Sequence, residues 1–140
     1  MDALTNIYNR YGFDTLAERM IAKNPRNHYI AALLDVDNFK LINDVYGHAY
    51  GDRTLKNLAD SMKKFFPSDV LLGRNGGDEF CVILYNCPYE MAERKIRKIQ
   101  KEFSSGQTKE YPKSFSCGIV EVEGGNEELQ VRDIIKQADH

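Results

Sequence analysis

The 140-residue chain has a formal net charge of −2, with 29% charged and 42% hydrophobic residues. This length suits one domain that buries its own hydrophobic core. The slight excess of acid argues against a broadly basic nucleic-acid binder, because such proteins place many Lys and Arg side chains on phosphates. We therefore expect no nucleic-acid polymer as a partner. A small anionic ligand is compatible with this charge if metal ions offset the acids.

Hydrophobic periodicity predicts the elements of the chain. In order, these are a helix over 11–23, a strand over 29–34, helices over 39–45 and 52–66, hairpin strands over 70–72 and 80–84, a helix over 88–103, a strand over 114–122 and the start of a last helix over 129–138. Apolar residues at helical spacing indicate the helices, and short apolar or alternating runs indicate the strands. This order predicts an α/β sandwich, with helices packed over a mixed sheet.

The compartment is predicted from the cysteines and from the absence of long apolar runs. Cys81, Cys87 and Cys117 are odd in number and lack metal-ligand spacing, so we expect reduced thiols that mostly fill the core. No signal peptide is visible, and no run approaches the ~18 apolar residues of a membrane span. We therefore expect a soluble cytoplasmic segment without membrane contact, or the cytoplasmic part of a membrane-anchored sensor.

The stretch Arg74-Asn75-Gly76-Gly77-Asp78-Glu79-Phe80 lies between the two hairpin strands. Its paired glycines predict a tight turn with positive φ, which leaves bare backbone beside Asp78 and Glu79. Ordinary surface acids on a solvated turn would explain this stretch taken alone. However, a second acidic cluster, Asp35-Val36-Asp37, ends another strand. Carboxylates at neighbouring strand ends favour a hard-cation site, with magnesium the default for phosphate chemistry.

A second group of polar residues surrounds the loop predicted over 46–51. Asp52 suits a helix N-cap or first turn, but together with the Asn43 amide it could instead satisfy the donor and acceptor edges of guanine. Lys40 is either a surface lysine or, with the helix N-terminus, a phosphate seat. His48 fits an ordinary loop. Because no Gly-x4-Gly-Lys-Ser/Thr run is present, a P-loop NTPase is disfavoured.

Four spaced motifs occur in the order Asp2-x-Leu4-Thr5 with Asn9-Arg10, Asp35-x-Asp37-x-Phe39-Lys40-x-x-Asn43-Asp44, Gly47-His48-x-x-Gly51-Asp52 and Arg74-x-Gly76-Gly77-Asp78-Glu79-Phe80. Together they resemble the GGDEF domain, the diguanylate cyclase family, over nearly the whole chain. The resemblance implies a mixed, mainly antiparallel central sheet flanked by helices, similar to nucleotidyl cyclase and polymerase palm domains. It also implies a bacterial second-messenger enzyme that condenses two GTP molecules into cyclic di-GMP with release of pyrophosphate.

The resemblance also implies how a metal is held and how the enzyme assembles. Asp35, the backbone carbonyl of Val36 and Asp78 match magnesium ligands, and Glu79 matches a further ligand or catalytic carboxylate. Manganese could replace magnesium. Each site would hold one GTP, so two domains would meet as a homodimer for turnover.

The remaining matched positions concern the nucleotide. Asn43 and Asp52 match the guanine-recognising positions of the family. Phe39, through its backbone, and the side chains of Lys40 and His48 match positions that line the nucleotide.

Two departures from the family qualify these expectations. The product-inhibition motif would need Arg at 67 and Asp at 70, where this chain has Pro67 and Val70, so we expect no tight cyclic di-GMP binding there. Residues 134–140 resemble the start of the family's last helix but stop before its basic continuation, which should weaken GTP binding by about 1.5–3 kcal/mol. We therefore expect a single GGDEF-like catalytic domain over 1–140, excised from a longer protein with an upstream sensor domain. The alternative is a catalytically weak GTP-binding module that regulates an attached domain.

Overall fold

The computed structural model describes residues 1–24, 26–105 and 113–122. Its elements are α1 (Arg10–Lys23), β1 (Tyr29–Val36), α2 (Phe39–Tyr46), α3 (His48–Phe65), β2 (Leu71–Arg74), β3 (Glu79–Tyr85), α4 (Tyr89–Ser105) and β4 (Phe115–Val122). This order confirms the predicted one as far as β4. The predicted last helix over 129–138 lies outside the described residues.

The four strands form one sheet in the order β2-β3-β1-β4, and every ladder between them is antiparallel. Tyr8 of the N-terminal arm adds a single parallel bridge to Gly73 of β2. Strand β1 lies between β3 and β4, and its first six residues are all buried. The predicted class, an α/β fold with a mainly antiparallel central sheet flanked by helices, is confirmed.

Helices cover both faces of this sheet. Alternate residues of β1 enter two separate core clusters, Ile30, Ala32 and Leu34 in the larger and Tyr29, Ala31 and Leu33 in the smaller. The larger cluster is completed by apolar side chains of α2, α3 and α4, and the smaller by Phe13, Ala17 and Ile21 of α1. The period-2 alternation of a strand therefore divides β1 between two layers. None of the described helices is both long and apolar enough to cross a membrane.

The loop predicted over 46–51 is wrong. Helix α2 continues to Tyr46 and α3 begins at His48, so Gly47 alone separates them. Gly47 has φ +89°, a conformation that favours glycine, and its N–H donates to the Asn43 carbonyl at 2.9 Å to close α2. Because one left-handed glycine can both end a helix and start the next, the chain needs no longer linker there.

The predicted positive φ at Gly76 and Gly77 is also wrong. Among the described glycines only Gly47 has positive φ. Strand β2 ends at Arg74 and β3 begins at Glu79, so the turn between them has four residues. Two-residue hairpin turns are the ones that require positive φ, and this longer turn avoids the requirement.

The three cysteines are free thiols, as predicted. Cys81 is buried in the smaller core cluster, while Cys87 and Cys117 are partly buried and pack against the larger one. Burial raises the pKa of the Cys117 thiol to about 12. This thiol is therefore protonated at neutral pH and packs as a small apolar group.

Candidate active site at the sheet edge

The two acidic clusters meet at one edge of the sheet. In the β1–β3 ladder Asp35 is the direct partner of Glu79. Directly opposed residues of an antiparallel pair present their side chains on the same face, with Cα atoms about 4.5–5.5 Å apart. One residue further along, the Val36 N–H donates to the Asp78 carbonyl at 3.1 Å. Asp35, Val36, Asp78 and Glu79 are thus held together by strand pairing, as the strand ends predicted.

Two neighbouring side chains hold the glycine turn. The Arg74 guanidinium donates from Nη2 to the Gly77 carbonyl at 2.7 Å and from Nε to the Gly76 carbonyl at 3.2 Å. Asn75 Nδ2 donates to Glu79 Oε1 at 2.5 Å, and the Asn75 N–H donates to the Glu79 carbonyl at 2.8 Å. The turn is therefore fixed from its own flanks, and the Glu79 carboxylate is oriented by Asn75.

The N-terminal arm is tied to the same turn. Arg74 Nη1 forms an ion pair with Asp2 at 3.2 Å, and Asp2 Oδ2 accepts bonds from the Thr5 N–H at 3.0 Å and the Thr5 hydroxyl at 2.5 Å. Burial raises the pKa of Asp2, but the Thr5 bonds and the Arg74 charge outweigh burial and hold this pKa below its usual value. Asp2 therefore stays ionised at neutral pH and couples the arm to the turn.

Asp37 has different hydrogen-bond partners from the other acids of the two clusters. Its two carboxylate oxygens accept bonds from the hydroxyls of Ser114 at 2.7 Å and Ser116 at 2.6 Å. Both serines flank Phe115, the first residue of β4. Asp37 is therefore occupied by β4, which the acidic cluster alone did not predict.

Helix α2 starts beside the acidic edge. Its N-cap, Asn38, is left-handed at φ 57° and makes no side-chain capping bond. Phe39 and Lys40 are the first two residues of the helix, and Lys40 is exposed while Phe39 packs partly against the core. No acidic side chain lies in this first turn. The helix N-terminus and the Lys40 ammonium therefore provide positive potential two residues beyond the end of β1.

The far end of α2 meets the start of α3 at Asn43 and Gly51. A Cβ placed on Gly51 would lie 1.8 Å from Asn43 Oδ1, so the Asn43 side chain occupies the space that the glycine leaves. Asp52 follows directly and is the fifth residue of α3, four after His48, so the two exposed side chains share one side of the helix. Gly47 is the N-cap, so the capping interpretation of Asp52 is wrong.

A divalent cation would find hard oxygen donors at the acidic edge. The Asp35, Asp78 and Glu79 carboxylates and the Val36 carbonyl are the donor types that Mg²⁺ and Mn²⁺ prefer. Within the described residues, no group of three or more His, Cys, Asp or Glu side chains is gathered closely enough to hold a metal. The donor chemistry fits such an ion, and the metal site stays a prediction.

With this geometry in view, comparison with known proteins is decisive. The chain matches the family described as diguanylate cyclase, GGDEF domain, over residues 1–140. The chain belongs to the GGDEF family. This GGDEF domain is 33% identical over 144 residues to an Escherichia coli K12 protein named probable diguanylate cyclase DgcT, covering 99% of this chain and 32% of the relative.

The domain is also similar to part of a phosphodiesterase and to a solved GGDEF structure. The GGDEF domain is 33% identical over 123 residues to the E. coli K12 cyclic di-GMP phosphodiesterase PdeR, covering 85% of this chain and 18% of that protein. Its fold matches the crystal structure of the Caulobacter crescentus DgcB GGDEF domain in complex with c-di-GMP, with a TM-score of 0.90 and 27% identity over 99% of this chain and 85% of that one. The chain spans about a third of the length of DgcT and about a fifth of that of PdeR.

The structure brings the predicted residues of this GGDEF domain into two neighbouring groups. The first is Asp35, Val36, Asp78 and Glu79 at the sheet edge, and the second is Asn43, His48 and Asp52 where α2 meets α3. Helix α2, which carries Phe39 and Lys40 at its start, links the two groups. Sequence reasoning missed the contacts of Asn75 and Asp37. Asp37 is a named position of its motif, which was a signal, whereas Asn75 is an unspecified position. The partner of Asn75 lies across the turn and those of Asp37 lie at the start of β4.

Proposed function

We propose that this GGDEF domain is a diguanylate cyclase that condenses two GTP molecules into cyclic di-GMP and releases pyrophosphate. The observation that carries the proposal is the pairing of Asp35 with Glu79, together with the bond from Val36 to Asp78, at the edge beside α2. This pairing supports a site in which oxygen donors would act together with the cationic start of α2. Phosphoryl transfer depends on these features, because its catalysis is mainly positioning and charge stabilisation.

The acidic edge would hold the metal and prepare the nucleophile. Asp35, the Val36 carbonyl and Asp78 would ligate magnesium or manganese, and Glu79, oriented by Asn75, would act as a further ligand or catalytic carboxylate. The bound metal would neutralise the triphosphate and promote ionisation of the 3′-hydroxyl. The Lys40 ammonium and the backbone of Phe39 would hold the phosphates, so that the α-phosphate is attacked in line while pyrophosphate departs.

The junction of α2 and α3 would select the base. The Asn43 amide can donate and accept, and the Asp52 carboxylate accepts from the N–H groups of guanine. Adenine would leave these groups unpaired, which is the kind of mismatch that a hydrogen-bonding site rejects strongly. His48, on the same side of α3 as Asp52, would line the nucleotide.

A single domain would hold one GTP, so two domains must face each other for each cyclisation. Incubating the protein with GTP and magnesium should yield cyclic di-GMP, detected chromatographically, with specific activity that rises as protein concentration rises. ATP in place of GTP should yield no cyclic dinucleotide. Constant specific activity down to dilute samples would contradict the need for two domains, and equal use of ATP would contradict the assignment of Asn43 and Asp52.

The alternative is a catalytically weak GTP-binding module that regulates an attached domain. The similarity to the phosphodiesterase PdeR favours it, because a domain of this family matches a protein named for the opposite reaction. Magnesium-dependent GTP binding without product, at protein concentrations that allow pairing, would support this alternative over the cyclase.

Replacing Gly51 with alanine should separate base selection from stability. The added Cβ would displace the Asn43 side chain, whose Oδ1 lies 1.8 Å from the new atom. A glycine within a helix costs about 1 kcal/mol relative to alanine, and Asn43 can rotate, so we expect the unfolding free energy to change by less than about 1 kcal/mol. We expect GTP affinity to fall about 10-fold and the ratio of GTP affinity to ATP affinity to decrease.

The measurements are binding of a fluorescent GTP analogue and urea unfolding. The control is Asn57→Ala, at an exposed residue of α3. The control should match the wild type in both assays. Unchanged affinity and preference for GTP in Gly51→Ala would argue that Asn43 does not contact the base.

A further inference from the structure

Ser114, directly before β4, and Ser116 within it make three hydrogen bonds with Asp37, the second carboxylate of the Asp35-Val36-Asp37 run. The Ser114 hydroxyl donates to Asp37 Oδ2 at 2.7 Å, and the Ser116 hydroxyl donates to Oδ1 at 2.6 Å. The Asp37 N–H donates in turn to the Ser114 carbonyl at 2.9 Å. Hydrogen bonds to an ionised carboxylate are stronger than neutral ones. Asp37 is therefore anchored to the start of β4, through residues 77 and 79 positions further along the chain.

This anchor lies at the point where the chain leaves the sheet and enters α2. Strand β1 ends at Val36 and α2 begins at Phe39, so Asp37 and Asn38 form the whole connection. Asn38 is left-handed, with φ 57° and ψ 34°, and does not cap the helix with its side chain. Asparagine adopts this conformation more readily than most other residues, so Asn38 suits the turn into α2. The three bonds at the neighbouring Asp37 fix where this turn begins.

Asp37 could instead have been a metal ligand beside Asp35. Its contacts argue for the anchoring role, because each carboxylate oxygen already accepts a serine hydroxyl at 2.6–2.7 Å. In the ladders Asp35 is opposed by Glu79 on one side and by Ser116 on the other. Ser116 is thus the ladder partner of Asp35 and donates its hydroxyl to Asp37.

We propose that Asp37 is a positioning residue that sets the start of α2, and with it the Phe39 backbone and the Lys40 ammonium, for the triphosphate of GTP. The nucleotide part of this inference rests on the proposed function. Displacement of a group that positions a substrate by about 1 Å can cost about 100-fold in rate. Loss of the anchor should therefore weaken contacts to the phosphates and leave those to the base, which depend on Asn43 and Asp52.

The anchoring part can be tested without nucleotide. The Ile42 N–H donates to the Asn38 carbonyl at 3.0 Å in the first turn of α2, so its hydrogen exchange reports on this turn. In Asp37→Ala, and in a variant carrying both Ser114→Ala and Ser116→Ala, exchange at Ile42 should rise at least ~10-fold. Replacing both serines with threonine keeps the hydroxyls and should restore slow exchange.

Two controls separate a local from a global effect. The Phe66 N–H, which donates to the Met62 carbonyl at the end of α3, should exchange at the wild-type rate in every variant. Asp60→Asn removes another exposed acid and should change neither amide. Unchanged exchange at Ile42 in the alanine variants, or equal acceleration at Ile42 and Phe66, would overturn the anchoring role.

The nucleotide part is tested by titrating each variant with GTP and with GMP in magnesium, followed by calorimetry or NMR. We expect Asp37→Ala to lose about 10- to 100-fold in GTP affinity, with less than a 2-fold change for GMP. Equal losses for both ligands, or unchanged GTP affinity, would overturn the link to the triphosphate. If the wild type binds no GTP, the proposed function and this link fall together, while the exchange data still decide the anchoring role.

Discussion

Replacing Asp78 with asparagine is expected to reduce cyclic di-GMP synthesis by at least ~100-fold with little change in stability. The Asp78 side chain is partly exposed on the turn, and the bond that ties this residue to β1 uses its backbone carbonyl, which the substitution keeps. Asparagine has nearly the same shape but lacks the negative charge with which the Asp78 carboxylate would bind magnesium and offset its charge. Loss of the ligand should remove the metal's contribution to stabilising the transition state, which amounts to several kcal/mol.

The measurement is product formation from GTP and magnesium, with urea unfolding as the test of the fold. Asp69→Asn is the matched control, because Asp69 is an exposed acid that precedes the same hairpin and bonds only weakly to the Tyr85 hydroxyl, at 3.3 Å. We expect the control to retain activity within about 3-fold. Comparable activity in the two variants would refute the role of Asp78 in holding the metal.

Replacing Phe13 with alanine is expected to lower the free energy of unfolding by about 3–5 kcal/mol. Phe13 of α1 is fully buried in the smaller core cluster. Its ring fits closely over Gly73 of β2, where a Cβ would lie 2.6 Å from Phe13 Cδ2. Truncation would remove this packing and leave a cavity between α1 and β2. Gly73 has no side chain that could fill this cavity.

Urea unfolding of Phe13→Ala beside Tyr11→Ala would measure this effect. Tyr11 lies on the same helix but is 81% exposed, so its truncation should change the unfolding free energy by no more than about 0.5 kcal/mol. Because a domain of this size is stable by about 5–15 kcal/mol, Phe13→Ala should be marginal at 37 °C. Similar losses of unfolding free energy in the two variants would show that the buried face of α1 stabilises the domain no more than its exposed face does.

The sequence predicted the elements well where one periodic signal dominates. The apolar spacing in α1, the apolar run of β1 and the stripe of α3 each identify the correct element, because the core-facing side chains of a helix or strand recur with its period. The errors occurred at glycines. Gly47 separates two helices by itself, and Gly76 and Gly77 occupy a four-residue turn without positive φ. A glycine permits several conformations, so local sequence does not select among them.

The candidate site was likewise predictable in part. The residue types and spacing around Asp35, Asn43, Asp52 and Asp78 were sufficient to predict an acidic strand edge and a nearby polar junction. Which atoms meet was not predictable. The opposition of Asp35 to Glu79 depends on strand register, and the bonds from Ser114 and Ser116 to Asp37 join residues far apart in the chain.

By itself, the sequence determined the helices and strands, the family and the set of chemically active side chains, because these follow from local periodicity and from motifs of fixed spacing. Only the tertiary structure decided that β1 lies at the centre of the order β2-β3-β1-β4 and that Asp37 binds β4. It also decided that Asn43 fills the space at Gly51. These contacts depend on how distant segments pack, and packing is set by the whole core rather than by neighbours in the chain.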